Sequence, residues 1–449
     1  MTKKIRKKKF KKKKEKIIKK LKKEKFTPRL LKGMKDILPE EQKYWSYVLE
    51  KLEKLAKVYG FEKIETPILE EAVLFRRSVG LTTDIVEKQM FTFIDKGGRE
   101  ISLRPEGTAS IARAYIEHGM SNLVQPVKLY YFGSMFRYEK PQVGRQREFH
   151  QFGLEVLGGI NPIVETQIIL LSWNFFQEIK LETELQINSL GCLECRREHQ
   201  KRLFEFFRYK RKLLCPTCRI RLERNPLRIF DCKEKKCQEI SHHLPHLIDS
   251  LCETCKNHFI KVLENLEELE IPYNLNSYLV RGLDYYNRTV FEFLPQRVGL
   301  SNQEKAQLTL AAGGRYDDLI KLLGGKETPA CGIAFGLERI IEEIKIQNIR
   351  LPKEKKPLVF LAHIGEATKK KALKIFENLR KAKIDLKEAL AKDSLKSQLE
   401  IANKIGAKLV LILGQEEMVR KTIIIRNMQT GIQELIDLDK IIEEIKKRI

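Results

Sequence analysis

Alternating hydrophobic and polar residues mark the middle of the chain. An apolar run from Val127 to Phe132 leads into a basic loop that contains Pro141 and Gly144, and an alternating run then extends from Phe149 to Glu155. This pattern predicts two antiparallel strands joined by a long loop. Gln151 and Glu155 stand four residues apart, so they share one face of the second strand, and that face suits a polar pocket.

Other patterned stretches lie before and after this hairpin. Apolar residues recur at helical intervals from Pro39 to Tyr59 and stop at Gly60, which predicts an amphipathic helix. Residues 61–66 are predicted as a strand that Pro67 interrupts, with the run continuing over residues 68–75. Beyond a charged, proline-bounded linker, residues 358–362, 367–381 and 407–414 alternate as β-α-β units.

Composition narrows the class of protein. A hydrophobic content of 42% in 449 residues predicts two to three domains with ordinary cores. No apolar run approaches the ~20 residues that cross a bilayer, and no apolar signal segment stands near the N-terminus. The sequence therefore predicts a cytoplasmic protein without a membrane partner. Its net charge of +26 favours a polyanionic partner such as a nucleic acid.

Much of this charge lies at the N-terminus. Residues 1–25 contain 16 Lys or Arg against Glu15 and Glu24, which contributes +14 and leaves +12 for the rest of the chain. One interpretation is a disordered, solvated lysine run. The other is a non-specific RNA-binding arm, since lysine neutralises phosphate without a fixed fold. The two interpretations are compatible.

Cysteines concentrate in one segment. Eight of the nine lie within residues 191–265, as the pairs Cys192 and Cys195, Cys215 and Cys218, Cys232 and Cys237, and Cys252 and Cys255. This spacing matches structural zinc sites, and a cytosolic chain disfavours disulfides. Free thiols of an ancestral site are the alternative, and the spacing does not tell which pairs would share a metal. Five histidines are further candidate ligands, namely His199, His242, His243, His246 and His258. Solvated or core positions are the simpler interpretation for them.

Charged residues suggest a ligand with both cationic and anionic groups. Glu106 precedes a predicted helix start, with Thr108 as a candidate N-cap. The carboxylate of Glu106 suits a contact with a ligand ammonium group. The alternative is that it interacts favourably with the helix dipole alone. Arg137 and Arg145 suit planar contacts to phosphate or carboxylate.

Six segments together resemble the class II aminoacyl-tRNA synthetases, in the form found in the histidyl-tRNA synthetase family. Phe136-Arg137-Tyr138-Glu139, the core of motif 2, is moderately specific, and its continuation into Glu148-Phe-His-Gln-x-Gly-x-Glu155 is sharper. Arg281-Gly-Leu-Asp-Tyr-Tyr286 and Ala312-Gly-Gly-Arg-Tyr-Asp317 match the hallmarks of this family. The glycines of the second hallmark, Gly313 and Gly314, would let a ligand approach the backbone. The remaining segments are residues 39–75 for motif 1, 103–108, and 332–340 for motif 3.

The resemblance covers residues 27–449 and implies a fold. It implies an α+β class II catalytic domain, an antiparallel sheet flanked by helices, with a helical cysteine-rich insertion and a C-terminal α/β anticodon-binding domain. The implied division is a basic tail at 1–25, catalytic segments at 26–190 and 266–350, the insertion at 191–265, a linker at 351–357 and the anticodon-binding domain at 358–449.

The resemblance also implies an activity. The chain would activate L-histidine with ATP to histidyl-adenylate and transfer it to the 3′ end of tRNA(His), releasing AMP and pyrophosphate. Mg²⁺ would accompany ATP, structural zinc would occupy the cysteines, and the chain would form a homodimer through motif 1. Catalysis would rest on positioning and charge stabilisation, without a nucleophilic side chain.

Site residues carry over position by position. The implied histidine-binding residues are Glu106, Gly107, Thr108, Arg137, Gln151, Glu155, Arg281, Tyr285 and Tyr286. The implied ATP-binding residues are Arg137, Arg145, Arg281, Tyr316 and Arg339, of which Arg137 and Arg281 are the catalytic pair. Gln142 shares the motif 2 loop with Arg145 and would face either ATP or the acceptor stem. The bland alternative for Tyr285 and Tyr286 is cross-strand packing.

A second function remains open on the same fold. Non-catalytic paralogues, such as the subunit that supports ATP phosphoribosyltransferase, keep the class II fold but typically lose the arginine region at 281 and the C-terminal domain. This chain retains both, which favours the synthetase.

Overall fold

A computed structural model describes residues 27–80, 83–140, 145–207, 209, 211–224, 226–230, 232, 234–241, 244–297, 308–352 and 359–448. The predicted tail at 1–25 and Gln142 lie outside these residues, as does most of the predicted linker at 351–357. The chain divides into two compact units, with the boundary between Leu351 and Pro352. No helix within the described ranges is long and apolar enough to span a bilayer.

An eight-stranded sheet forms the centre of the first unit. Its strands are β1 Glu62–Lys63, β5 Val127–Phe136, β6 Glu148–Leu157, β7 Thr183–Ser189, β8 Asn274–Leu275, β9 Asn287–Pro295, β10 Ala311–Arg315 and β11 Ala330–Gly336. Their spatial order is β1-β5-β6-β11-β10-β9-β7-β8. The six central strands pair antiparallel, and only the two short edge strands, β1 and β8, pair parallel with their neighbours.

The predicted hairpin is confirmed as β5 and β6. The two ten-residue strands pair in continuous register from Val127 opposite Leu157 to Phe136 opposite Glu148. Phe152 and Leu154 on β6 are fully buried in the main core, so alternate residues of β6 point to the opposite face of the sheet.

Helices cover the core face of this sheet. The predicted amphipathic helix is confirmed as Pro39–Val58, with Trp45, Val48 and Leu52 buried. It packs with Ile163–Glu178, in which Phe175 meets Phe335 of β11 edge-on and Phe176 meets it at a tilt. The other helices of the unit are Ala72–Val79, Thr108–Glu117, Leu193–Phe207, Pro216–Arg224, Lys235–Ser241, Glu253–Glu268, Leu319–Leu322 and Leu337–Ile346, with single turns at Ile85–Gln89, Met120–Asn122, Arg211–Leu213, Pro226–Ile229 and Leu247–Ser250.

A small three-stranded sheet, β2 Leu69–Glu71, β3 Thr92–Ile94 and β4 Glu100–Leu103, stands beside the large one in the order β2-β4-β3. The predicted run through residues 68–75 is wrong in its second half, because Ala72–Val79 forms a helix. Ala72, Phe75 and Val79 are fully buried, and their spacing of three and four residues places them on one helical face.

The second unit is an α/β domain. Its strands are β12 Val359–His363, β13 Leu386–Glu388, β14 Leu409–Leu413, β15 Thr422–Asn427 and β16 Gln433–Asp437, and its helices are Glu366–Lys381, Leu395–Ile405, Gln415–Arg420 and Ile441–Arg448, with a turn at Leu438–Lys440. The sheet has the order β13-β12-β14-β15-β16, with β12, β13 and β14 parallel and the last two strands antiparallel. The predicted β-α-β pattern is confirmed.

Candidate active site and cysteine clusters

A cavity of about 920 Å³ opens over the face of the large sheet opposite the main core. This volume lies within the range of ligand sites in proteins. The central strands form its floor, and the insertion forms part of its wall. Nine of the twelve residues predicted for the site line this cavity, namely Glu106, Thr108, Arg137, Arg145, Gln151, Arg281, Tyr285, Tyr286 and Arg339.

The other three predicted residues lie directly behind the wall. Glu155 accepts hydrogen bonds from the Thr108 hydroxyl, at 2.7 Å, and from the Tyr316 hydroxyl. The ring of Tyr131 occupies the space beside the Cα of Gly107. An added Cβ would lie 2.3 Å from that ring, so only glycine fits at this position. All twelve predicted residues are therefore brought together by the fold.

Glu106 combines the two roles that the sequence left open. Its carboxylate accepts from the backbone N–H groups of Thr108 (2.6 Å) and Ala109 (2.9 Å), at the start of the helix Thr108–Glu117. Thr108 is thus the first helical residue and not the N-cap, a position held by Gly107. Burial raises the pKa of Glu106, and the two N–H groups and Arg137 oppose that rise. Glu106 still lines the cavity, so it also faces a ligand.

Glu155 is buried, and no cationic side chain among the described residues pairs with it. Burial raises its pKa to about 8, and the hydroxyls of Tyr316 and Thr108 act in the opposite direction. Near pH 7 this carboxyl group is therefore protonated in the free protein, and a cation bound beside it would favour the charged form.

Three tyrosines form one aromatic wall around this carboxyl group. The ring centroids of Tyr285 lie 4.7 Å from Tyr286 and 5.6 Å from Tyr316. Burial raises the pKa of all three phenols, so they stay neutral and available as hydrogen-bond donors. The packing alternative therefore holds as well, because the same rings pack tilted or edge-on against one another and line or support the cavity.

Arginines gather at the other end of the cavity. Arg137 donates to the carbonyl oxygen of Pro105 at 2.9 Å, and Arg339 donates to that of Thr309 at 2.8 Å. Burial lowers the pKa of Arg339, and the nearby charges of Arg145 and Arg137 lower it further. Like charges held together in a buried place favour a polyanionic ligand.

Arg281 lies between the two ends. It is paired with Glu292, which also accepts from the Thr309 hydroxyl at 3.0 Å. Its guanidinium stands 5.2 Å from the centre of the Tyr286 ring. Its Nε is buried without a hydrogen-bond partner among the described residues, so the group retains a free donor.

Two further buried atoms in the cavity wall lack partners within the part of the chain that the structure describes. They are the Tyr131 hydroxyl and Oε1 of Gln151. Unpaired buried polar atoms are costly, so they indicate a polar ligand. Sequence reasoning missed Tyr131, which lies in an apolar run. The one available signal was Gly153, its partner across the hairpin, where a Cβ would lie 2.2 Å from the Tyr131 ring.

The glycines of the second hallmark act differently from the sequence interpretation. We expected Gly313 and Gly314 to let a ligand approach the backbone. A Cβ on Gly313 would instead lie 2.3 Å from the carbonyl oxygen of Gly332 on β11, and one on Gly314 would lie 2.6 Å from that of Thr289 on β9. They permit close strand packing. Gly336 does line the cavity, with no atom closer than 3.7 Å to an added Cβ.

The cysteines form two separate groups, each with four sulfur atoms within 4.8 Å of one another. The first group joins the outer pairs, Cys192, Cys195, Cys252 and Cys255, and the second joins the inner pairs, Cys215, Cys218, Cys232 and Cys237. Each group could hold one metal ion. Cys331, the ninth cysteine, lies outside both groups and is fully buried in the main core.

The described histidines lie outside both groups. His258 is paired with buried Glu165, and His199 is buried, which lowers its pKa to about 4. His246 packs edge-on against Tyr278. His242 and His243 fall outside the described residues.

Comparisons with known proteins agree along both units. The family model of histidyl-tRNA synthetase matches residues 33–194 and 233–340, and a model of anticodon-binding domains matches residues 358–448. The histidine–tRNA ligase of Acetivibrio thermocellus is 46% identical over 416 residues, which cover 92% of this chain and 98% of that protein.

Solved structures give the same result. The chain resembles the apo crystal structure of S. aureus histidyl-tRNA synthetase with a TM-score of 0.78 and 35% identity, over 94% of this chain and 100% of that one. A Bacillus halodurans protein described as an ATP phosphoribosyltransferase regulatory subunit/histidyl-tRNA synthetase has a TM-score of 0.61 over 87% of this chain and 99% of its own. At 21% identity it shows the shared fold alone. The chain belongs to the histidyl-tRNA synthetase family.

Proposed function

We propose that this chain activates L-histidine with ATP to histidyl-adenylate and transfers the histidyl group to the 3′ end of tRNA(His), with release of pyrophosphate and then AMP. The observation that carries the proposal is a single cavity whose one end is carboxylate and phenol and whose other end is arginine, in a member of this family. The two ends match the two substrates in charge.

Histidine belongs at the carboxylate end. Its ammonium group would meet the carboxylate of Glu106, with the unpaired Oε1 of Gln151 as a second acceptor. Its imidazole would reach Glu155, whose hydroxyl partners Thr108 and Tyr316 already fix the carboxyl orientation. A site that pairs both ring nitrogens leaves buried groups unsatisfied with other amino acids, which is a strong basis for selection.

ATP belongs at the arginine end. Arg137, Arg145 and Arg339 would surround the phosphates, and Gly336 leaves room beside the backbone. Arg281, between the ends, would lie beside both the histidine carboxylate and the α-phosphate. The carboxylate oxygen attacks the α-phosphorus while pyrophosphate leaves, and Arg137 and Arg281 stabilise the charge that develops.

Metal ions complete this proposal. Mg²⁺ would enter with ATP and neutralise its outer phosphates, and the carboxylates that line the cavity nearest the arginines are Glu139, Glu292 and Glu338. The two cysteine groups suit structural zinc, because four thiolates leave no open coordination position for catalysis.

Partners follow from the same assignment. The second unit would bind the anticodon arm of tRNA(His), and the cytoplasmic location predicted from the sequence is part of the proposal. A homodimer would form through one face of the small sheet. Leu69, Phe93, Ile101 and Leu103 share that face by strand register, and Phe93 keeps 48% of its surface exposed. An exposed apolar face of this kind indicates an interface.

The regulatory paralogue fits less well. A protein without synthetase activity has no use for four arginines held in a cavity with unpaired buried polar groups. The sequence-level argument also stands, because the Arg281 segment and the second unit are both present.

The first prediction concerns substrate selection. In ATP–pyrophosphate exchange with each of the twenty amino acids supplied separately, we expect exchange with histidine alone, because only imidazole pairs with both Glu155 and the phenols. Aminoacylation of tRNA(His) transcript then tests the second step. A folded dimer that exchanges with no amino acid would favour the paralogue.

The second prediction concerns Arg281. We expect Arg281→Ala to slow histidine-dependent exchange by roughly 100-fold or more, as loss of a transition-state donor does, while histidine affinity by calorimetry changes little. The control is Arg380→Ala, which removes a surface arginine paired with Glu377 in the second unit. Full exchange activity in Arg281→Ala would remove this residue from the mechanism.

The third prediction concerns pH. Glu155 has an ordinary pKa of 4.5 when unfolded and about 8 when folded, so between these values the folded state binds more protons. The contribution of protonated Glu155 to the free energy of unfolding is complete below pH 4.5. It is lost as pH rises to 8, by at most about 1.4 kcal/mol per pH unit. Glu155→Gln does not titrate. In urea unfolding the variant should therefore gain stability relative to the parent as pH rises from 5 to 8, and a constant difference would contradict the assignment.

The fourth prediction concerns the interface. Phe93→Asp places a charge on the apolar face and should convert a dimer to a monomer in light scattering after gel filtration. Phe204→Asp is the matched control, because Phe204 is 44% exposed on an insertion helix, and this variant should remain dimeric. A dimeric Phe93→Asp protein would exclude this face.

A further inference from the structure

We propose that the insertion is built on two zinc ions with separate tasks, which deepens the zinc assignment above. The neck site consists of Cys192, Cys195, Cys252 and Cys255 and fastens the insertion to the catalytic unit. The lobe site consists of Cys215, Cys218, Cys232 and Cys237 and holds a small lobe, formed by the described residues between 203 and 244, against the catalytic cavity.

Sulfur positions fit one tetrahedral ion in each group. Zinc binds thiolate at about 2.3 Å, which sets the edge of a regular tetrahedron at about 3.8 Å. The observed separations are 3.6 Å for Cys192 to Cys195, 4.0 Å for Cys192 to Cys252 and 3.9 Å for Cys215 to Cys232. A disulfide would need about 2.05 Å, and an iron–sulfur cube would hold its thiolates further apart because the cube fills the centre.

Backbone amides already point at the sulfurs. The N–H of Cys252 donates to Sγ of Cys195 at 3.1 Å, and the N–H of Cys215 donates to Sγ of Cys237 at 3.2 Å. Such donors stabilise thiolate charge and orient metal ligands. In both groups the amide of one cysteine pair reaches the sulfur of the other pair, so each link joins segments that are distant in sequence.

The neck site joins the two ends of the insertion. Cys195 lies in the first turn of the helix Leu193–Phe207, and Cys252 directly precedes the helix Glu253–Glu268. The second helix buries Phe259, Val262 and Leu266 in the main core. One ion would therefore fix where the chain leaves the large sheet and where it returns.

The lobe site lies at the centre of a core that is too small to hold by itself. Its buried apolar residues other than cysteine are Leu203, Phe207, Leu214, Leu222, Ile229 and Leu244. A segment of about 40 residues rarely folds on such a core without a metal or disulfide. No disulfide joins the described cysteines, so a metal ion is the cross-link that we propose for this core.

The lobe reaches the catalytic cavity through the lobe site itself. Cys215 and Cys232 line that cavity together with Arg221, and the Arg221 guanidinium lies 3.6 Å from the carboxylate of Asp84, which also lines the cavity. The family model matches residues 33–194 and 233–340, so Cys215, Arg221 and Cys232 lie outside the matched segments. Loss of the lobe ion would therefore loosen a wall of the cavity.

The experiment counts metal in the full-length protein, reconstituted with Zn²⁺ and desalted. We expect two zinc ions per chain by mass spectrometry of the metal, and one in each of the double variants Cys215→Ser/Cys218→Ser and Cys252→Ser/Cys255→Ser. Cys331→Ala, the buried cysteine outside both groups, should keep two. A parent protein with one zinc or none would overturn the proposal, whatever its activity.

Hydrogen exchange separates the two tasks. The lobe-site variant should lose protection from exchange across the lobe, while β5 and β6 stay protected. The neck-site variant should lose protection at the starts of the helices Leu193–Phe207 and Glu253–Glu268. If either variant fails to fold, Co²⁺ in the parent protein provides the test. Two equivalents should give the visible absorption of tetrahedral thiolate cobalt, and saturation at one equivalent, or identical exchange in both variants, would refute two distinct sites.

Discussion

The pairing of β6 with both of its neighbours sets the geometry on which the rest of the catalytic unit depends. β6 is bonded to β5 along ten residues and to β11 along seven, so its register is held on both sides. Phe152 and Leu154 then enter the main core, while Gln151 and Glu155 face the ligand side. A slip of one residue would exchange these two sets. Fold and site chemistry therefore rest on one register, and neither can vary without the other.

Buried charge is the second constraint, and the chain meets it by close pairing. Arg315 is fully buried and donates to Glu165 at 2.7 Å, to the carbonyl oxygen of Gly159 at 2.8 Å and to Asp317 at 3.0 Å. Burial acts to raise the pKa of Glu165, but Arg315 and His258 lower it. A buried ion pair is costly unless its remaining hydrogen bonds are satisfied. His258 belongs to the helix Glu253–Glu268, which begins at the insertion's last cysteine pair, so this network also anchors the base of the insertion.

The sequence predicts what local periodicity controls. The hairpin, the helix Pro39–Val58 and the β-α-β pattern of the second unit follow from spacing within a few residues, and all are present. The failures have long-range causes. Ala72–Val79 is helical because its apolar face packs against Ala109 and Ile85, and Gly313 is small because β11 lies against it. Cysteine spacing likewise did not predict the nested pairing, which depends on where the insertion re-enters the sheet. Tyr131 had no local signal.

The proposed reaction gives these features a common logic. Within the cavity, burial and the charges of Arg145 and Arg137 lower the pKa of Arg339, and burial raises the pKa of Glu155. In our proposal the phosphates of ATP would oppose the first shift and the cation of histidine the second. The transfer step needs more, because a tRNA end must enter beside the adenylate. The lobe carrying Cys215 and Arg221 forms part of the wall of that cavity. In our proposal a metal ion would hold this wall in position while the ligand beside it changes.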